Sequence, residues 1–217
     1  MKQSRSNDRM EMYFLKKLAR LLTVASGLLL FACGSIPEPN YYTLHVGDQL
    51  EGNGAAHKTR PMTIGVSKLE SGLLLSDDRL IYRQSEYEVK FWNYQRWVAQ
   101  PNTMVTEYLV EYLKSRKHFD QVVKFPSATR VRYVLGGKLL AFEEWDKNGE
   151  WFGKVAFELF LRDLEKEQII WRQTYQQMVP VEQKLPVGVV AAVSRAMMAC
   201  FEEMSHDFGS ELDSVLE

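Results

Sequence analysis

Trp151-Phe-Gly-Lys-Val-Ala-Phe-Glu-Leu-Phe-Leu-Arg162 is the stretch on which the fold turns. Val155, Phe157, Leu159 and Leu161 alternate with their neighbours, so they share one side of a strand and bury it. Phe160 on the other side predicts a second face that is not wholly polar. Upstream, residues 131–145 read as another strand, joined through Asp146-Lys-Asn-Gly-Glu150, whose Asn-Gly pair suits a tight hairpin turn. Downstream, the charged turn Asp163–Glu167 leads into a third strand over 168–178. Three strands in succession with short turns predict an antiparallel meander.

Around this meander the pattern changes. Met104, Val105, Tyr108, Leu109, Tyr112 and Leu113 recur at three- and four-residue spacing, which predicts a helix from Asn102, preceded by Pro101 and closed at 115–118. A second helix is expected over 187–216, with a stripe of Val190, Ser194, Met197, Met198, Phe201, Met204, Phe208 and Leu212, and Gly209 breaking or kinking its last turn. Shorter strands are expected at 41–46, 62–66, 80–83, 87–92 and 119–125. The fold class is α/β (α+β): a single compact domain over 41–217, a largely antiparallel sheet with two main helices packed on it.

The 217 residues carry 27 Lys+Arg and 28 Asp+Glu, a net charge of −1, with 46% hydrophobic residues. That composition argues against a disordered chain, and the balanced charge against a nucleic-acid binder working through a broad basic field. The two cysteines, Cys33 and Cys200, cannot build a disulfide framework.

The N-terminus departs from these averages. Lys16, Lys17 and Arg20 precede the uncharged run Leu21–Ala32, 12 residues long, where crossing a bilayer takes about 20. A basic segment, a short apolar run and a small residue describe a secretory signal peptide, and Met10 or Met12 is an alternative start. Leu30-Phe31-Ala32-Cys33 resembles a bacterial lipobox, with Phe31 bulkier than usual at its position. Residues 1–32 are therefore expected to be a lipoprotein signal peptide cleaved between Ala32 and Cys33. Cys33 would carry an N-acyl diacylglycerol group, and residues 33–40 would form a lipidated tether. Gly34 is not the Asp that retains lipoproteins at the inner membrane, so the outer membrane of a Gram-negative bacterium, periplasmic face, is the expected address. Losing residues 1–32, with six basic and two acidic side chains, would leave 185 residues with 21 basic and 26 acidic, a charge of −5. The spacer 35–40 reaches about 20 Å at most.

Chemistry-bearing motifs are sparse. Gly65-Val-Ser-Lys-Leu69 lacks the last glycine of a nucleophile elbow. Gly136-Gly-Lys138 lacks the first glycine and the Ser/Thr of a phosphate loop, and falls mid-strand, where paired glycines mark a bulge or close packing. Glu203 and His206 have a helical carboxylate–histidine spacing without the second copy such metal sites need, and read as a solvated helix face. His45, His57 and His118 lie in unrelated segments. Glu143, Glu144 and Asp146 border a hairpin turn and are expected to be solvated. Trp92, Tyr94 and Trp97 form an aromatic cluster before the first helix, either core filling or a partner-binding patch. No catalytic residue, metal ligand or cofactor is assigned beyond the lipid on Cys33.

The order of features resembles the ABC-type transport auxiliary lipoproteins, the PqiC/YmbA family. The resemblance runs through Cys33, Tyr41-Tyr-Thr-Leu44, Ile64-Gly-Val66, Asp78-Arg-Leu-Ile-Tyr-Arg83, Trp97-Val-Ala-Gln-Pro101, Tyr133-Val-Leu135 and Phe142-Glu143. It implies a non-enzymatic subunit of an intermembrane lipid transport system. The implied partners are an MCE-domain protein, which forms the periplasmic conduit, and the associated inner-membrane complex; a homo-oligomeric ring is a further implication. The alternative is a periplasmic assembly or chaperone lipoprotein of another envelope machine, and a periplasmic hydrolase would need a polar cleft around one of the histidines.

Overall fold

A computed structural model describes Met12, Lys16, Lys17 and residues 37–46 and 59–216. Contacts separate Met1–Glu38 from Pro39–Glu217, and every element below belongs to the second unit. In chain order these are β1 (Asn40–Tyr42), β2 (Arg60–Ser67), β3 (Glu70–Ser71), a 3-10 turn at Leu73–Ser76, β4 (Arg79–Arg83), β5 (Val89–Trp97) and α1 (Pro101–Arg116). There follow β6 (Phe119–Phe125), β7 (Tyr133–Lys147), β8 (Glu150–Asp163), β9 (Gln168–Pro180), α2 (Pro186–Ser210) and α3 (Leu212–Val215).

The meander is present, and the fold is α+β. β7 and β8 pair antiparallel from Tyr133↔Asp163 to Lys147↔Glu150, and β8 pairs β9 in the same sense. Asn148 (φ 57°) and Gly149 (φ 81°) both occupy the left-handed region that a two-residue hairpin turn requires. At the next turn Asp163 Oδ1 accepts the backbone N–H groups of Glu165 and Lys166 at 2.9 and 3.2 Å.

The other edge of β7 is shared. β2 pairs it at Tyr133–Leu135, β3 at Lys138–Leu139 and β4 at Glu144–Trp145, all parallel. β6 lies beyond β2, and β5 and then β1 lie beyond β4. A register shift between Leu139 and Ala141 places Leu140 in a bulge, 47% exposed. Leu135 and Leu139 face the core before the bulge. After it, the residues paired with Val155 and Gly153 on that face are Phe142 and Glu144.

Val155, Phe157, Leu159 and Leu161 are fully buried, as the alternation requires. Phe160, on the opposite face, lies over Gly136 and beneath the guanidinium groups of Arg162 and Arg172. Both helices cover one face: Phe201 of α2 meets Phe157 of β8 at 5.7 Å and Tyr112 of α1 at 5.3 Å. α1 opens on Pro101 and stops where Lys117 turns left-handed (φ 53°). Every residue of the expected α2 stripe is buried, although the helix ends at Ser210 and resumes at Leu212 rather than breaking at Gly209.

Three expectations change in detail. The first strand covers only Asn40–Tyr42; beyond it Leu44 gives its carbonyl to the Tyr108 hydroxyl at 2.7 Å and His45 gives its N–H to Ser194. The fifth strand runs on to Trp97, which places the aromatic cluster inside the sheet. Glu143 and Glu144 are buried, at 4% and 1% exposure, rather than solvated. β7 extends past them to Lys147, and β4 closes over that end.

α2 crosses β8 at Gly153, where an added Cβ would lie 2.4 Å from the Val193 nitrogen and 2.5 Å from the Ala192 carbonyl carbon. Gly153→Ala is expected to cost about 1–3 kcal/mol in urea unfolding, because the helix backbone cannot yield as a side chain can. Gly72→Ala, with nothing within 4 Å of the new Cβ, is expected to stay within about 0.5 kcal/mol.

Candidate functional site

The site begins with an irregularity in β5. Arg79 pairs with Arg96 and Ile81 with Phe91, so Trp92–Gln95 stand opposite the single residue Leu80. This bulge separates the three aromatic residues singled out in sequence. Trp97 is 2% exposed and packs on Phe142 at 4.9 Å between ring centres. Tyr94 is exposed. Trp92 turns onto β7, where its indole N–H donates to Glu144 Oε2 at 3.2 Å.

Segments scattered through the sequence converge here. Arg83 Nε donates to both oxygens of Glu143, at 2.9 and 2.8 Å. Tyr42, cross-strand from Trp97, gives its hydroxyl hydrogen to Gln95 at 2.8 Å. Asp77 chelates Arg79, whose hydrogen bonds hold that carboxyl down at about 2. Asp78 pairs with Arg96.

Beside this junction opens a recess of about 330 Å³, lined by Tyr82, Phe91, Trp92, Glu144, Asp146 and Trp151 together with Gln84 and Asn93. The Trp92 ring stands 5.7 Å from Tyr82 and 6.3 Å from Trp151, inclined at 58° and 75°. Phe91 is engaged elsewhere, its ring 4.1 Å beneath the Arg79 guanidinium. Burial pushes the Glu144 carboxyl from 4.5 up to about 7; the Trp92 N–H opposes the shift and the Asp146 charge adds to it. Sequence reasoning named Trp92 and missed Tyr82 and Trp151. The parallel register Tyr82↔Glu144 and the antiparallel pair Asp146↔Trp151 bring them together.

His118 is fully buried, its Nε2 2.6 Å from the Ser205 hydroxyl and its ring beside those of Phe119 and Phe208. His206 and Glu203 are exposed on α2, with Glu203 accepting from Gln177. Among the described residues no three His, Cys, Asp or Glu side chains are grouped to hold a metal. Cys200 is buried and its thiol is pushed up to about 12 by that burial, which leaves it unreactive at neutral pH. Ala32, Cys33 and His57 lie outside the described residues. No helix among the described residues is long and apolar enough to cross a membrane.

A helix-backed mixed sheet, with aromatic and charged side chains gathered where β4 and β5 meet β7, defines an α+β domain. The model of the ABC-type transport auxiliary lipoprotein component matches residues 42–205, and the chain belongs to that family. The same fold occurs in a crystal structure of a protein from Xanthomonas campestris, 16% identical, with a TM-score of 0.69 over 81% of this chain and 99% of that one. A second solved structure, 13% identical, has a TM-score of 0.62 over 79% and 99% of the two chains. No curated protein matches the sequence.

The pH response of Glu144 follows from its position. Its folded value lies above the unfolded one, so its contribution is complete below 4.5 and is lost as pH rises through about 7. Glu144→Gln keeps an acceptor for Trp92 and removes the ionisation. Between about pH 4.5 and about pH 8 this variant is expected to gain of order 1–3 kcal/mol on the wild type in urea unfolding. A difference independent of pH would contradict the assignment.

Proposed function

We propose that this chain is a non-enzymatic, outer-membrane-anchored lipoprotein subunit of an intermembrane lipid transport system, docking the distal end of an MCE-type periplasmic conduit. The observation that carries the reading is the family match over residues 42–205. The sequence before it adds the lipobox at Leu30–Cys33.

In this reading the signal peptide is cleaved between Ala32 and Cys33, and Cys33 takes an N-acyl diacylglycerol group. Three acyl chains exceed the two signals that suffice for stable anchoring, so no membrane-spanning helix is needed. The short spacer keeps the domain within about 20 Å of the bilayer. From there it meets a partner rather than a distant substrate. A closed ring of copies would match a conduit that is itself symmetric.

The wild-type protein is expected in the outer-membrane fraction, with an N-terminal peptide carrying three acyl chains by mass spectrometry, and to co-purify with an MCE-domain protein. Cys33→Ala should remain as uncleaved precursor and leave that fraction, while its folded domain keeps its melting temperature. An acylated wild-type protein that captures no MCE-domain partner would overturn the docking role. A wild-type N-terminus without acyl chains would overturn the anchor.

A further inference from the structure

We propose that the recess walled by Tyr82, Trp92 and Trp151 over Glu144 is a binding site for an organic ammonium group of the choline type. This inference does not depend on which envelope machine the chain serves.

Unequal pairing of the buried acids motivates it. Among the described residues three carboxylates are buried: Glu143, Glu144 and Asp163. Glu143 is ion-paired with Arg83 and Asp163 with Arg132, both at 2.8 Å. Glu144 accepts the neutral indole N–H of Trp92, and the charge that acts on it is the like charge of Asp146. A buried carboxyl group without a counter-ion avoids the cost of its charge either by holding a proton or by taking up a cation, and here a cation has a space to enter.

The walls of that space suit a cation. Ring faces attract positive charge, most strongly for indole and most effectively where the cation is shielded from water. Trp92 stands at 58° to Tyr82 and 75° to Trp151, so the three rings form walls in different planes rather than a stack. Glu144 and Asp146 supply negative charge, and no Lys or Arg lines the recess among the described residues. Cations nearby in the ladder are engaged, among them Arg83 with Glu143 and Lys154 over the Trp145 ring. Lys90, cross-strand from Tyr82, is bonded to Glu88 and Gln84. Arg79 is held by Asp77 and lies over Phe91. The recess is open on one side, so a methylated ammonium can sit among the rings while its substituent projects outward. A volume of about 330 Å³ falls at the small end of ligand sites.

The same ammonium chemistry occurs on a free solute and on a phospholipid headgroup, and the test separates them. The intact chain in a non-ionic detergent is titrated with choline, with glycerophosphocholine and with the uncharged isostere 3,3-dimethylbutan-1-ol. Tryptophan emission and saturation transfer to the ligand's methyl protons report binding. Choline is expected to bind and the isostere to bind at least about tenfold more weakly. Glycerophosphocholine binding as well as choline assigns the site to a headgroup; choline binding alone assigns it to a free solute. Glu144→Gln, which preserves shape and the Trp92 bond, is expected to lose about tenfold in affinity, and Trp151→Leu a comparable factor. Thermal melting of each variant checks that it folds. No binding by the wild type, equal binding of the uncharged isostere, or undiminished binding by folded Glu144→Gln would each overturn the proposal.

Discussion

The hydrogen-bond ladder between β7 and β8 is the constraint on which the other elements depend. β7 is paired from end to end on that side, while its other edge is divided among β2, β3 and β4, none of which could cover it alone. The domain is therefore two half-sheets joined by one strand: β6 and β2 at one end of β7, and β1, β5 and β4 at the other. The parallel pairings need long connections, and the helix between β5 and β6 forms part of the one from β2 to β6, packing under the first half-sheet. α2 returns over β8 and β9 and approaches so closely at Gly153 that helix and sheet are in backbone contact.

Charge follows from the same geometry. A single bulge at Leu140 changes which residues of β7 face the core, and so carries Glu144 beneath the helix-covered face while Glu143 points to the other. Arg83 answers Glu143 from the neighbouring strand, its Nε–H shared between the two carboxylate oxygens. Glu144 receives an indole N–H, and burial raises its carboxyl into the range where it titrates near neutrality. The aromatic walls around it come from three strands, so the recess exists only when both edges of β7 are paired at that end.

Much of the architecture was legible in the residues. Alternation at Val155–Leu161, the Asn-Gly turn and the α2 stripe each express one physical period, and each appears where expected. What escaped was set by insertions against that period. One extra residue in β7 reverses the facing of everything after it, and so Glu144, beside a turn in sequence, ends in the interior. In β5, four residues opposite one send Trp92, Tyr94 and Trp97 to three different environments, although their spacing suggests a cluster. Trp151 lies far from Trp92 in sequence and meets it only through strand register, which no local pattern encodes, while Tyr82 reaches it across the neighbouring β4–β5 hairpin. Tyr41–Val46 has strand-like composition, yet its second half serves the helices, because the Tyr108 hydroxyl and Ser194 take up its backbone groups.

Native-state hydrogen exchange on the intact chain tests the joining role of β7 most directly. The amides of Leu135 and Leu139 at one end and of Phe142 and Glu144 at the other should exchange with the same free energy of opening, equal to that of global unfolding. Exchange of Phe142 and Glu144 at a distinctly lower free energy than Leu135 would mean that the half-sheet carrying the recess opens on its own, and would contradict a single body organised by β7.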